Sequence, residues 1–156
     1  MGEVTLIRID DRLIHGQVTT AWLRIYPSNT IIIANERISK NPMYKSIFAA
    51  TAISGIDILL LSPNDAADYI KKAEQEKKIL IITPSPVDVV ALIDAGLKIE
   101  KIIVGGLQGR PNTKKLAKVV FATSDEEKAF LELRNRGVEM DVQMVPTDRI
   151  TRLELG

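Results

Sequence analysis

Short runs of β-branched and aliphatic residues alternate with longer segments of helical period along the whole chain, and this alternation constrains the fold most. Val4–Ile9, Thr30–Ala34, Ile56–Leu61, Lys78–Thr83, Ile102–Val104, Lys118–Phe121 and Val138–Gln143 read as strands. His15–Tyr26 reads as a helix, with Val18, Ala21, Trp22 and Ile25 on one apolar face, and Trp22 is expected to pack in the core. Pro42–Ala52 reads as a second helix. Ser62 followed by Pro63 starts a third that runs to about Glu76, and Ser85 with Pro86 opens another that Gly96 closes. Ser124 with Glu127 reads as the capping box of a last helix, which ends at Arg136 and Gly137. This order predicts an α/β fold: an open, mainly parallel twisted sheet with helices on both faces. The strands are near-continuous in apolar residues, as expected where both faces are covered. Ligands of such sheets gather at the carboxyl ends of the strands. That singles out Asp10–Gln17 and the later loops at Ser62, Thr83–Ser85 and Gly105–Asn112.

Length and composition narrow the classes of function. The 156 residues fit one domain, 1–156, and no linker or repeat divides them. Twenty-one basic and twenty acidic residues leave a net charge of +1, which does not point to nucleic acid or an acidic membrane surface as a partner. The absence of cysteine excludes disulfides, a thiolate nucleophile and cysteine-ligated metal, and the single histidine argues against structural zinc. No metal or organic cofactor is expected. Glu3 and Arg8 interrupt the start before a signal-peptide core forms, and the apolar segments at Ile58–Leu61 and Ile79–Thr83 are too short to span a bilayer. The expected location is the cytoplasm. Gly105–Gly109 lacks the order of a dinucleotide loop, and Pro111 interrupts the helix that should follow. Lys71–Lys78 reads as a solvated helix end; Arg110, Lys114, Lys115 and Lys118 form a local basic excess that is either a docking surface or solvated.

The chemistry concentrates in Arg8–Gln17, between the first strand and the first helix. This stretch holds two arginines, two aspartates, a glutamine and the only histidine, His15. Imidazole is nucleophilic near neutral pH without special activation. A phosphoryl group on it needs positive charge and N–H donors. Arg12 offers a planar fork for phosphate oxygens, and the following helix N-terminus offers free amides. Gly16 lets the backbone approach closely, and either Asp10 or Asp11 is placed to hold the second ring nitrogen. The plainer reading is a surface histidine beside structural Arg–Asp ion pairs.

Arg8–Val18 closely resembles the phosphorylation-site signature of the mannose/fructose/sorbose family of IIB subunits of the bacterial sugar phosphotransferase system. The resemblance continues through Ile31–Asn35, Val104–Gly106, Arg136–Val138 and Gln143–Pro146, and so covers essentially the whole chain. It implies a phosphocarrier and an open α/β sheet. The histidine matching His15 would take phosphate at Nδ1 from a histidine of a IIA subunit. It would pass it to a sugar imported by membrane IIC and IID subunits, which places the protein at the inner face of the membrane. The resemblance also implies that Arg12 stabilises the phosphoryl group and that Arg8, Asp10 and Gln17 shape the loop, with Asp11 and Gly16 as further support. Members are often homodimers. The chain departs from some relatives at Gly106-Leu107, and Gln108–Asn112 resembles an insertion, which bears on sugar-system or partner specificity. A rival reading keeps the fold as a non-catalytic regulatory module whose phosphorylation reports sugar flux.

Overall fold

The computed structural model describes residues 1–51 and 53–155. Among the described residues, eight strands and six helices follow in the order β1 (Glu3–Asp10), α1 (Gly16–Ile25), β2 (Thr30–Ala34), α2 (Glu36–Lys40), α3 (Pro42–Ala50), β3 (Asp57–Leu61), α4 (Pro63–Lys72), β4 (Lys78–Thr83), α5 (Pro86–Asp94), β5 (Lys101–Gly106), β6 (Lys114–Ala117), β7 (Val120–Ala122), α6 (Ser124–Asn135) and β8 (Glu139–Val142). Six strands form one sheet in the order β3-β2-β4-β1-β5-β8, every pair parallel. The remaining two, β6 and β7, form an antiparallel hairpin.

Side chains of alternate residues point to opposite faces. Ile7 and Ile9 of β1 therefore join Ala66, Ile70, Val89, Leu92, Phe130 and Leu133 from α4, α5 and α6 in one core. Leu6 joins Trp22 of α1 and Ile38 of α2 in the other, against which Tyr44 and Phe48 of α3 pack. Helices cover both faces, as the alternation predicts. The same alternation puts Arg8 and Asp10 on the Trp22 face, and both are buried.

Several elements differ from the sequence reading for local reasons. On α1 Thr19 and Trp22 are buried, and the half-buried Val18, Leu23 and C-cap Tyr26 pack beside Trp22; Thr19, Trp22, Leu23 and Tyr26 are spaced i, i+3, i+4, i+7, and Ile25 is 57% exposed rather than on the packed face. The capping box sits one residue earlier than Ser124 and Glu127. Thr123 accepts from the Glu126 amide, and the Glu126 carboxylate accepts from the Thr123 amide. Lys118–Phe121 is not a single strand: the chain turns there between β6 and β7. The short helix α2, capped by Asn35, was not anticipated. The fourth helix ends at Lys72, short of Glu76, because Ala73 is extended. The second predicted helix stops at Ala50, and its expected last residue, Ala52, lies outside the described residues.

At the carboxyl end of the sheet the chain leaves β1 toward β2 on one side, and leaves β5 toward β8 on the other. Such a reversal opens a crevice between neighbouring strands. The candidate site lies there.

Candidate active site

Asp10, the last residue of β1, is wholly buried and collects five contacts. Its Oδ1 accepts from the Arg12 amide at 3.0 Å and from Arg12 Nε at 3.2 Å. Its Oδ2 accepts from Arg8 Nη2 at 2.8 Å and Arg12 Nη2 at 3.2 Å, and lies 3.2 Å from His15 Nε2. Desolvation pushes this carboxyl up. The hydrogen bonds from the Arg12 side chain and backbone, the Arg8 charge and the His15 contact outweigh it, and the net value lies below the ordinary one. Asp10 is therefore an anion at neutral pH, able only to accept. The hydrogen in its contact with His15 then belongs to Nε2, and in the neutral ring Nδ1 keeps its lone pair.

The local fold explains how so short a segment reaches back onto itself. The Leu13 amide donates to the Asp10 carbonyl at 3.0 Å, closing a tight turn. Leu13 takes φ +60°, costly for a branched side chain, and its burial at 6% exposure holds it there. His15 follows as the N-cap residue of α1, its amide donating to Thr19 Oγ1 at 3.2 Å. Its side chain stays a quarter exposed. The first turn of α1 carries no acidic residue of its own; the nearest carboxylate is that of Asp10, already engaged by Arg8 and Arg12. Gly16 has φ +47°, and a Cβ there would meet nothing within 4 Å. Conformation, rather than close approach, calls for glycine at this position.

Arg8 is the deepest cation. Its guanidinium lies 5.2 Å above the Trp22 ring, and its Nη1 donates to the Met144 carbonyl at 3.2 Å. Desolvation by burial pulls its pKa down to about 10 despite Asp10, so it keeps its charge at neutral pH. Room for it comes from a bulge: Ile9 pairs with Val104 but Asp10 pairs with Gly106, leaving Gly105 as the extra residue. A Cβ on Gly105 would stand 2.1 Å from Arg8 Nη2.

Of the residues singled out in the sequence, Arg8, Asp10, Arg12 and His15 come together. The choice between Asp10 and Asp11 is resolved for Asp10. Asp11 turns away and accepts from the Gln108 amide through Oδ2 at 2.7 Å, tying the Gly105–Asn112 segment to the loop; its Oδ1 is buried with no hydrogen-bond partner among the described residues. Gly16 and Gln17 are exposed, and Gln17 makes no side-chain hydrogen bond among the described residues. A cleft of about 270 Å³ opens beside Arg12, walled by Leu107, Val119, Phe121 and Met144. The expected basic patch is partly neutralised: Arg110 pairs with Glu126 at 2.9 Å and Lys114 with Glu127 at 3.2 Å. Sequence reasoning singled out the Gly105–Asn112 loop and the Gln143–Pro146 segment, but it did not place Gly105 or the Met144 carbonyl against Arg8. It gave Trp22 only a packing role. Among the described residues no group of acidic or histidine side chains is arranged to hold a metal ion, and no helix is long and apolar enough to cross a membrane.

A parallel sheet with a buried Arg–Asp–Arg–His cluster at its β1/β5 crevice defines the class of this α/β protein. Residues 4–155 match the family model described as PTS system sorbose subfamily IIB component. The chain belongs to that family, the IIB components of the mannose/fructose/sorbose group of sugar phosphotransferase systems. It is 34% identical over 146 residues to the sorbose-specific EIIB component of Lacticaseibacillus casei, covering 93% of this chain and 89% of the relative. It is 30% identical over 149 residues to the mannose-specific EIIAB component of Escherichia coli, covering 93% of this chain but 45% of that longer protein. Among solved structures, the IIBSor domain of the sorbose permease from Klebsiella pneumoniae superposes with a TM-score of 0.89 at 32% identity, covering 96% and 92% of the two chains.

Proposed function

We propose that the protein is a phosphocarrier in which His15 Nδ1 takes a phosphoryl group from a histidine of a IIA partner and delivers it to a sugar handled by membrane IIC and IID subunits. The observation that carries the reading is the 3.2 Å contact between His15 Nε2 and the buried Asp10 carboxylate. It supports a tautomer in which only Nδ1 is a nucleophile. In the first transfer the Nδ1 lone pair forms a bond to phosphorus while the donor histidine's N–P bond breaks, and the donor leaves with that electron pair. In the second, a sugar hydroxyl oxygen forms the new bond to phosphorus, the His15 N–P bond breaks with its electron pair returning to Nδ1, and the hydroxyl proton passes to solvent. Neither step asks for covalent help from other side chains. Both ask for alignment and charge stabilisation.

Arg12 suits that task. Its side chain is 31% exposed, Nε and Nη2 are engaged with Asp10, and Nη1 makes no hydrogen bond among the described residues. That leaves one edge of the fork for a phosphoryl oxygen. The amides at the start of α1 suit a second oxygen. Work of this kind places the protein on the cytoplasmic side of the membrane, against the sugar-translocating subunits. The fusion of A and B components in the mannose-specific EIIAB relative supports IIA as the donor. The relatives' names differ in their sugar, so they point to no one sugar for this chain.

The test is transfer from labelled phospho-IIA. An acid-labile, alkali-stable label on His15 that moves on to sugar when IIC and IID are supplied is the expected result. Label on serine, threonine or aspartate, or undiminished labelling of His15→Ala, overturns it. Labelling of His15 without any sugar phosphate in the full system would make the protein a reporter of flux instead.

A further inference from the structure

The buried guanidinium of Arg8 is unusual for a position that an apolar side chain would fill at lower cost. Its surroundings are specific. One nitrogen reaches Asp10 at 2.8 Å and another the Met144 carbonyl at 3.2 Å, while the plane lies 5.2 Å over the Trp22 ring. Trp22 Nε1 donates to the same Met144 carbonyl at 2.8 Å. Both lone pairs of that carbonyl are thus taken, by two groups more than a hundred residues away in the chain. The carbonyl itself sits on a rigid turn after β8. The Gln143 amide donates to the Val104 carbonyl at 3.0 Å, and Gln143 Nε2 donates to the Pro146 and Asp148 carbonyls, each at 3.0 Å.

Any large apolar side chain would fill the space of Trp22. Only an indole supplies both the electron-rich face that holds a cation and the N–H that meets Met144. We propose that Trp22 and the Met144 carbonyl are positioning groups for phosphoryl transfer: they fix Arg8, and through Arg8 and Asp10 they fix which nitrogen of His15 is free to react. This rests on the phosphocarrier reading. The logic follows from Asp10. Arg8 makes the shortest of its contacts, and it meets the same oxygen, Oδ2, that faces His15. With Arg8 loose, Arg12 alone orients the carboxylate, and the imidazole can exchange its proton between nitrogens. An arginine drawn fully onto Asp10 is also less available to the phosphoryl group.

The single histidine makes the test direct, because ¹⁵N labelling of histidine reports one pair of ring nitrogens. Trp22→Phe keeps a ring beneath Arg8 and deletes the N–H; Trp22→Leu removes both. In the wild-type protein the neutral ring should show one protonated-type and one lone-pair-type nitrogen. In Trp22→Leu the two shifts should converge as the tautomers average, with Trp22→Phe intermediate. Transfer from phospho-IIA at saturating IIA should fall roughly 10- to 100-fold in Trp22→Leu, as for a reacting group displaced by about an ångström, while the IIA concentration for half-maximal rate stays unchanged because Trp22 is buried. Unchanged ring shifts and rate alongside a lowered melting temperature would make Trp22 a core residue and overturn the proposal. If Trp22→Leu does not fold, Trp22→Phe carries the decision by the same two readouts. The tautomer measurement needs no phosphate: a wild-type protein that IIA fails to label sinks the phosphocarrier reading, whereas unmoved ring shifts sink only this one.

Discussion

Replacing Asp10 by Asn should be among the most damaging single changes in this protein, and the structure sets its size. The carboxylate has no exposure, and it compensates two guanidiniums. Arg12, at 31% side-chain exposure, can turn to water when Asp10 loses its charge. Arg8, at 4%, cannot. Removing one partner of a buried pair costs about 3–5 kcal/mol. Because one of the two cations escapes, and because Met144 and Trp22 still hold the other, the lower end applies, about 3 kcal/mol. For a chain of this length each kcal/mol lowers the melting temperature by about 2–4 °C, so Asp10→Asn should melt roughly 6–12 °C lower at neutral pH. The pH dependence carries a sign. The folded-state value of Asp10 is depressed, so its contribution is complete above the ordinary carboxylate value of about 3.9 and is lost as pH falls through the lower folded-state value. The measurement is denaturant unfolding of both proteins from pH 7 downward. The gap should hold to about pH 4 and then close. A gap below about 1 kcal/mol at pH 7, or one that does not narrow in acid, would refute the account of Asp10 as the charged hub.

Arg12→Lys keeps a charge but loses the fork, and should slow transfer from phospho-IIA by roughly 30- to 1,000-fold, about 2–4 kcal/mol of transition-state stabilisation; an unchanged rate at saturating IIA would sink its role in transfer. Gly105→Ala brings a Cβ to 2.1 Å from Arg8 Nη2 and should destabilise by about 1–3 kcal/mol in thermal unfolding. Gly106→Ala, whose nearest atom would be 3.6 Å away, serves as the mild control, and equal effects at the two positions would contradict the bulge geometry. Thr123→Ala should lose about 1 kcal/mol by breaking the capping box while Ser124→Ala loses little; the reverse order would move the cap back to Ser124.

The sheet was legible because its central strands β2, β4 and β5 are built on runs of β-branched and aliphatic residues, and because Ser62-Pro63 and Ser85-Pro86 announce two helices by their own chemistry. The misses have physical causes. Helix α2 spans five residues, too few to show a period. Strands β6 and β7 span four and three residues and carry a register shift, so no alternation survives. On α1 the true stripe was hidden because one of its members is a threonine. That threonine is polar for a reason: its hydroxyl accepts the His15 amide and holds the entry of the helix. What looked like a break in the apolar face is part of the candidate site.

The site divides along the same line between local and distant. Arg8, Asp10, Arg12 and His15 lie within eight residues, and one tight turn brings them together, so their types and spacing already suggested phosphate on a histidine. Gly105 and Met144 fall in segments that the resemblance includes, Val104–Gly106 and Gln143–Pro146, but their contacts with Arg8 could not be read from it. One matters for the side chain it lacks and the other for a backbone carbonyl, and neither property shows in residue type. Their placement nevertheless bears on how a carrier must behave. A phosphocarrier has to give up its phosphoryl group as readily as it takes it, so a bare pair of arginines facing His15 would hold the group too well. Here Asp10 already engages both guanidiniums, and the deeper one is turned toward Trp22 and Met144 rather than toward the solvent-facing edge of the ring. In the proposed transfer the phosphoryl group would then meet one partly compensated arginine and the amides of a helix end, an arrangement that favours alignment over tight retention.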